Sequence, residues 1–215
     1  MTVKKRVLIG IFSLLFVVAT LIELSSWLDR LEMRELISLT TNQGAEIKTH
    51  TDFVNTITKD PRIAPAIKVK VFIGTYSQML EAVGTLLPDP PDYYIMVDYL
   101  APFDQSEMQV LIAHELGHTI YGPDFIEKWQ IKTLNQFIRR PHLNARYPFF
   151  NTRKNQILTK YQVKADTFAV EKTSLERMLA FLNKLYTIEE NRNNADYKMR
   201  LENLEKLQRQ SLQKH

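Results

Sequence analysis

The run Val110-Leu111-Ile112-Ala113-His114-Glu115-Leu116-Gly117-His118 constrains this chain more than any other stretch. Histidines four apart on an α-helix lie on one face, so His114 and His118 can present both imidazoles to a single metal ion. The four apolar residues before them predict that this helix is buried, and Gly117 leaves room for a second backbone to approach closely. Asp104 is the expected N-cap, with Glu107 three residues on as its capping-box partner, so the helix is predicted from Asp104 to Tyr121. Glu115, beside the first histidine, stands where a carboxylate can take a proton from a metal-activated water and pass it to a leaving amine. The bland alternative is a helix carrying two surface histidines. Against it stand the apolar lead-in, the glycine, and the fact that only five histidines exist in the chain.

There is no cysteine among the 215 residues, so disulfides and thiolate zinc sites are excluded together. Any zinc must be held by histidine, carboxylate or amide. A hydrophobic share of 45% supports one domain of ordinary size with appendages. The net charge of +4 comes without an aromatic-interleaved basic stripe, which argues against nucleic acid as a partner.

Lys4, Lys5 and Arg6 precede an apolar run from Val7 to Leu24, broken only by Gly10, Ser13, Thr20 and Glu23. Eighteen helical residues rise about 27 Å, close to the hydrocarbon thickness of a bilayer. A cleaved signal peptide has a shorter apolar stretch and a small-x-small site, and Val18-Ala19-Thr20 is a poor one. Residues 1–24 are therefore expected to be a retained transmembrane anchor. The basic flank leaves the N-terminus cytoplasmic and the remainder on the exported, periplasmic or extracellular, side.

Leu24, Leu28, Leu31, Leu36 and Leu39 recur at roughly helical spacing, so a helix is expected to continue off the membrane. Residues 40–65 read as a polar connector with one short helix. Residues 25–65 thus form a membrane-proximal region, and 66–215 the main domain. Ile67 to Ile73 alternates apolar and charged residues, a half-buried strand ended by Gly74. Leu87 to Asp92 is expected to be a turn or exposed loop, and Tyr93 to Val97 a second strand, with Tyr93 and Tyr94 in strand core and surface or on the sheet edge. Beyond Asp104 the chain reads as helical, apart from a break from Arg140 to Phe150. Trp27 is expected at the membrane interface and Trp129 in packing. The charged run from Asn191 to His215 predicts a solvated helix with Leu201, Leu204 and Leu207 on its one packed face.

A catalytic zinc takes three protein ligands and a water. Beyond His118 the candidates for the third are Asp124, Glu127, His142, Asp166 and Glu171. Asp124 holds the third-ligand place of an HExxHxxGxxH pattern, but Tyr121 stands where that pattern needs glycine, and Gly122-Pro123 reads as a helix end.

Gln162-Val163-Lys164-Ala165-Asp166-Thr167-Phe168-Ala169 carries a resemblance. It is similar to the second zinc helix, Glu-x-x-Ala-Asp-x-x-Ala, of zinc metallopeptidases of the HtpX and CAAX-prenyl-protease type. Ile95-Met96-Val97 followed by Phe103 to Met108 resembles that family's strand and entry into the HExxH helix. Ser174 to Leu185, with its Lys184-Leu185 pair, and Asn194 to Leu204, with Arg200, Leu201 and Leu204, resemble its later elements. The likeness spans roughly Lys68 to Leu204. It implies an α+β, mostly α, gluzincin-like zinc peptidase domain with a small β-sheet, preceded here by the one transmembrane helix. It also implies zinc on His114, His118 and Gln162, Asp166 supporting a histidine or serving as the alternative ligand, and Arg200 beside the substrate carbonyl as a catalytic cation. Two departures stand out. The family's ligand glutamate is Gln162, isosteric but uncharged, and its late His-Pro is Asn194-Ala195. Three functions follow as expectations: a membrane-anchored zinc endopeptidase acting on peptides or proteins, a pseudoprotease that binds without cutting, and a zinc hydrolase of another class.

Overall fold

The computed structural model describes residues 16, 20, 24, 27, 31, 33–39, 41–42, 44–65, 67–74, 84–89, 92–98, 103–138, 149–187 and 195–212. In chain order its elements are a helical segment α1 (33–39), β1 (Ala45–Glu46), α2 (Thr51–Ile57), β2 (Lys68–Gly74), β3 (Gly84–Asp89), β4 (Asp92–Asp98), α3 (Gln105–Ile120), α4 (Phe125–Ile138), α5 (Phe149–Lys172), α6 (Leu175–Thr187) and α7 (Ala195–Leu212). The protein is thus mostly helical with one small mixed sheet. Among the described residues no helix is long and apolar enough to cross a membrane. The anchor expected at 1–24 lies outside the described residues except for Phe16, Thr20 and Leu24, and so does most of the expected break at 140–150.

The sheet runs β1-β2-β4-β3, with β2 and β4 parallel and both edge strands antiparallel to their neighbours. Val71 lies opposite Ile95, and Ile73 opposite Val97. Because side chains alternate along a strand, β2 and β4 offer one set of apolar residues to each face. Val71, Ile95 and Val97 join the main core with Val110, Ile112 and Leu116 of α3. Met96 and Leu87 turn the other way, onto Ile37 of α1, with Met33, Leu36 and Tyr94 around them. The sheet therefore sits between α3 and α1.

Two expectations are corrected here. Leu87 to Asp89, read as loop, belongs to strand β3, which pairs residue by residue with β4 from Gly84↔Val97 to Asp89↔Asp92. Pro88 is tolerated because β3 is an edge strand. The N–H of Leu86 faces Glu115, away from β4, so the missing N–H of Pro88, two residues on, points to the same open side. Tyr93 and Tyr94 are not on the sheet edge, since β4 lies between β2 and β3. The expected connector also contributes to the core: Val54, Ile57 and Ile63 pack with the main cluster.

α5 and α6 pack on α3, and α7 packs against both of them. Phe168 and Ala169 of α5, Met178, Phe181, Leu182 and Leu185 of α6, and Leu201 and Leu204 of α7 complete the main core. An ionic cluster closes the C-terminal end of α5. Asp60 accepts from Arg62 Nε at 2.9 Å and Nη2 at 2.8 Å and lies 2.6 Å from Lys172 Nζ, while Arg62 also donates to Glu171 at 2.6 Å.

The hydrogen bonds from Arg62, then Lys172, hold the Asp60 carboxyl well below the usual carboxylate range. A carboxylate with a depressed pKa in the folded state stabilises it above its unfolded value, about 3.9, and loses that contribution as pH falls through the folded value. Asp60→Asn is accordingly expected to lower the urea midpoint at pH 7, with the gap to the parent shrinking below pH 4. A gap that widens in acid would contradict this assignment.

Candidate metal centre

α3 begins with the expected capping box. Asp104 Oδ1 accepts from the N–H groups of Ser106 and Glu107 at 2.8 and 2.9 Å, and Glu107 Oε2 accepts from the Asp104 N–H at 2.8 Å. Lys184 of α6 donates to the same Glu107 oxygen at 2.6 Å, fixing the helix start against its neighbour. The helix then runs through the core, so His114 and Glu115 are buried at 4% and 7% exposure, while His118, one turn on, is half-buried.

Gly117 is where α5 crosses. A Cβ at this position would lie 3.0 Å from Ala165 Cα, 3.2 Å from its Cβ and 3.3 Å from its carbonyl oxygen. Glycine on one helix and alanine on the other let the two backbones approach to this distance. Gln162 and Asp166 flank Ala165 by three residues and one, so the crossing brings both to the histidines.

The donor atoms converge. His114 Nε2 lies 3.2 Å from His118 Nε2 and 2.9 Å from Gln162 Oε1, with the imidazole rings perpendicular and their centroids 4.8 Å apart. Ligands at about 2.0–2.1 Å around a tetrahedral zinc are separated by roughly 3.3 Å. The two spacings from His114 Nε2, 3.2 Å to His118 and 2.9 Å to Gln162, lie within about 0.5 Å of that value, which suits these atoms to a small divalent cation. Among the described residues no group of three or more histidine, cysteine, aspartate or glutamate side chains could hold a metal, because the third donor here is an amide.

Asp166 stands on the other side of His114. Its Oδ1 is 2.8 Å from His114 Nδ1, a close contact bent away from the ring N–H direction. A carboxylate there fixes the ring's orientation and directs Nε2 to the donor cluster. Asp166 is 1% exposed and receives two hydrogen bonds from Arg200, Nε to Oδ2 at 2.8 Å and Nη2 to Oδ1 at 2.7 Å. Burial alone would raise its carboxyl. The Arg200 charge and hydrogen bonds, with His114, prevail and hold it well below the usual carboxylate range. Arg200 is itself 6% exposed, which corrects any view of it as a solvated helix arginine. It does not stand free for a substrate carbonyl either, since two of its three nitrogens are bound to Asp166. Its third, Nη1, is 3.9 Å from Asp196, which accepts a short hydrogen bond from Thr159 of α5.

Burial raises the Glu115 pKa, against the charges of His118 and Arg200 and a hydrogen bond from the Leu86 N–H. Burial, and next the neighbouring His114, lower that of His118. Burial thus makes the Glu115 carboxylate a stronger base than a solvated one and favours the neutral imidazole of His118.

The other third-ligand candidates lie elsewhere. Asp124 is exposed and accepts from the Glu127 N–H at 2.8 Å. Glu127 accepts from Lys160 and Tyr161, Glu171 from Arg62, and His142 lies outside the described residues. Pattern reading missed Leu86, Thr159 and Asp196. Leu86 acts through its backbone, which no side-chain pattern reveals, whereas Asp196 could have been suspected from its place one turn before Arg200. No protein family, curated protein or solved structure matches this chain.

Two substitutions probe this arrangement. A methyl group at Gly117 costs about 1–3 kcal/mol of overpacking against Ala165, offset by about 1 kcal/mol of helix propensity gained over glycine. Gly117→Ala should therefore lower stability by up to ~2 kcal/mol; a gain in urea-unfolding free energy would place the helices farther apart than described. Arg200→Met leaves a buried carboxylate unpaired and is expected to cost ~3–5 kcal/mol. Adding Asp166→Asn should restore part of that loss, and strict additivity of the two changes would refute their coupling.

Proposed function

We propose that this chain is a membrane-anchored, zinc-dependent metalloendopeptidase. The observation that carries the reading is the convergence of His114 Nε2, His118 Nε2 and Gln162 Oε1 at 2.9–3.2 Å, with a buried glutamate in sequence between the two histidines. A zinc ion on these donors would polarise a scissile carbonyl and render a water acidic enough to attack it near neutral pH.

Glu115 accepts the proton of the attacking water and delivers it to the departing amine. Its raised pKa makes it a stronger base than a solvated glutamate, and the Leu86 N–H orients it. Asp166 sets the angle of His114, and Arg200 keeps Asp166 ionised; Arg200 is a positioning residue in this reading. Among the described residues β3 is an edge strand of the sheet and runs beside Glu115. An extended peptide would add along this edge through its carbonyl groups, since Glu115 takes the Leu86 N–H and Pro88 has none. The basic-flanked apolar run at 1–24 supports attachment to a membrane with this domain on the exported side, and with it substrates among peptides and misassembled membrane or envelope proteins.

Gln162 favours a second reading, a pseudoprotease that holds a partner without cutting. An amide oxygen brings no charge to the metal, so zinc affinity falls relative to a carboxylate. The intact Glu115 favours catalysis, because binding alone needs no general base.

The test is zinc content and chelator-sensitive casein cleavage of the full chain in detergent. Glu115→Gln should keep zinc and lose cleavage by roughly 10²–10⁴-fold. Gln162→Glu should bind zinc more tightly, and Asp166→Ala roughly 10–100-fold more weakly. Absence of both zinc and chelator-sensitive cleavage in the parent would reject the protease reading. Zinc without cleavage in the parent, with cleavage gained in Gln162→Glu, would establish the pseudoprotease instead.

A further inference from the structure

The net charge of +4 conceals a separation. Residues 125–164 hold nine lysines and arginines and a single acid, Glu127, while the rest of the chain, with nineteen cations and twenty-three acids, is net −4. The described part of this basic stretch is α4 and the first half of α5. On α4 Glu127 and residues 130–135 are half-buried, and Glu127 accepts from Lys160 Nζ at 3.0 Å and from the Tyr161 hydroxyl. α4 also carries exposed apolar residues: Ile126 is 64% and Trp129 59% exposed, with Lys128 exposed beside them. This corrects the expectation that Trp129 is a packing residue. On α5, Phe149, Arg153, Lys160 and Lys164 are exposed at spacings of 4, 7 and 4, which is one continuous face of a helix. The Lys160–Glu127 contact shows that this stripe borders α4.

Large apolar side chains ringed by lysine and arginine on the outside of a helix fit an anionic lipid surface, where rings and aliphatic groups enter the acyl boundary and cations meet phosphates. α4 has 14 residues, about 21 Å at 1.5 Å each, and carries Lys128, Gln130 and Lys132. It is too short and too polar to span a bilayer, so it would lie in the membrane plane.

We propose that the outer face of α4, with the bordering stripe of α5, docks the domain onto an anionic lipid bilayer, Ile126 and Trp129 entering the interface and Lys128 and Arg153 meeting the headgroups. This holds whether or not the metal centre cleaves anything. Because Gln162 lies on the same stretch of α5, docking fixes the height of that centre above the lipid.

The experiment uses the full chain in vesicles with Trp27→Phe, which leaves Trp129 as the only tryptophan of the two. Its emission is read against lipids brominated along the acyl chain, in phosphatidylcholine alone and in phosphatidylcholine mixed with phosphatidylglycerol. The expected result is quenching by brominated lipid in the mixed vesicles that weakens in high salt. Each cation near such a surface contributes roughly fivefold, so Lys128→Gln with Arg153→Gln should cut the docked-to-undocked ratio about 25-fold. Quenching by aqueous iodide that is the same in both vesicle types and in detergent would overturn the proposal. So would equal acyl-chain quenching in pure phosphatidylcholine, which removes the role of charge. Shielding of Trp129 that depends on protein concentration and not on lipid would assign the face to a second copy of the chain.

Discussion

The contact between Gly117 and Ala165 governs the rest of the structure. Two helices from distant parts of the chain meet there with backbone against side-chain methyl, at 3.0–3.3 Å from the position a glycine Cβ would take. Every side chain of the candidate site on these two helices sits within one turn of that point, His114 and His118 on α3 and Gln162 and Asp166 on α5. Directional chemistry here rests on a non-directional contact, close packing of small residues, which sets distances that hydrogen bonds then refine.

Behind the donors, polarity runs inward instead of out to solvent. His114, Asp166 and Arg200 are all buried; Arg200 satisfies Asp166 with two hydrogen bonds, and Asp166 lies 2.8 Å from His114 Nδ1. Burying an ion pair brings little net stability by itself, since desolvation offsets the attraction. Its value lies in geometry: a bidentate guanidinium leaves the carboxylate one orientation, and the carboxylate leaves the imidazole one. α7 is thereby tied to the candidate site through Arg200, although none of its side chains touches the two histidines in the contacts described.

Much of this was legible beforehand for physical reasons. Capping chemistry is local, so the Asp104–Glu107 box marked the helix start correctly. Helical periodicity placed His114 with His118, and the packed leucines of α7 on one side. What could not be read depends on long-range pairing. Leu87-Pro88-Asp89 has the composition of a turn, yet it is a strand because β4 offers it a partner and the proline's missing donor falls on the open side. Trp129 reads as a core residue because size and apolarity predict burial only on average; the helix it sits on is held to α5 through Glu127, which bonds Lys160 and Tyr161. Arg200 could be placed in the site by resemblance, but its grip on Asp166 follows only from how α5 and α7 pack.

The covering of the sheet by α1 has a consequence for where the domain begins. Met96 and Leu87 are 0% and 2% exposed because Ile37, with Met33 and Leu36, closes over them. The same strand that sends Ile95 and Val97 toward α3 sends Met96 to this outer layer. The segment leading away from the N-terminal apolar run is therefore a third layer of the architecture and not a tether. A fragment trimmed beyond residue 39 to remove the hydrophobic end would strip that layer, leaving the apolar face of Leu87 and Met96 open to aggregation. The smallest self-sufficient unit starts ahead of Met33.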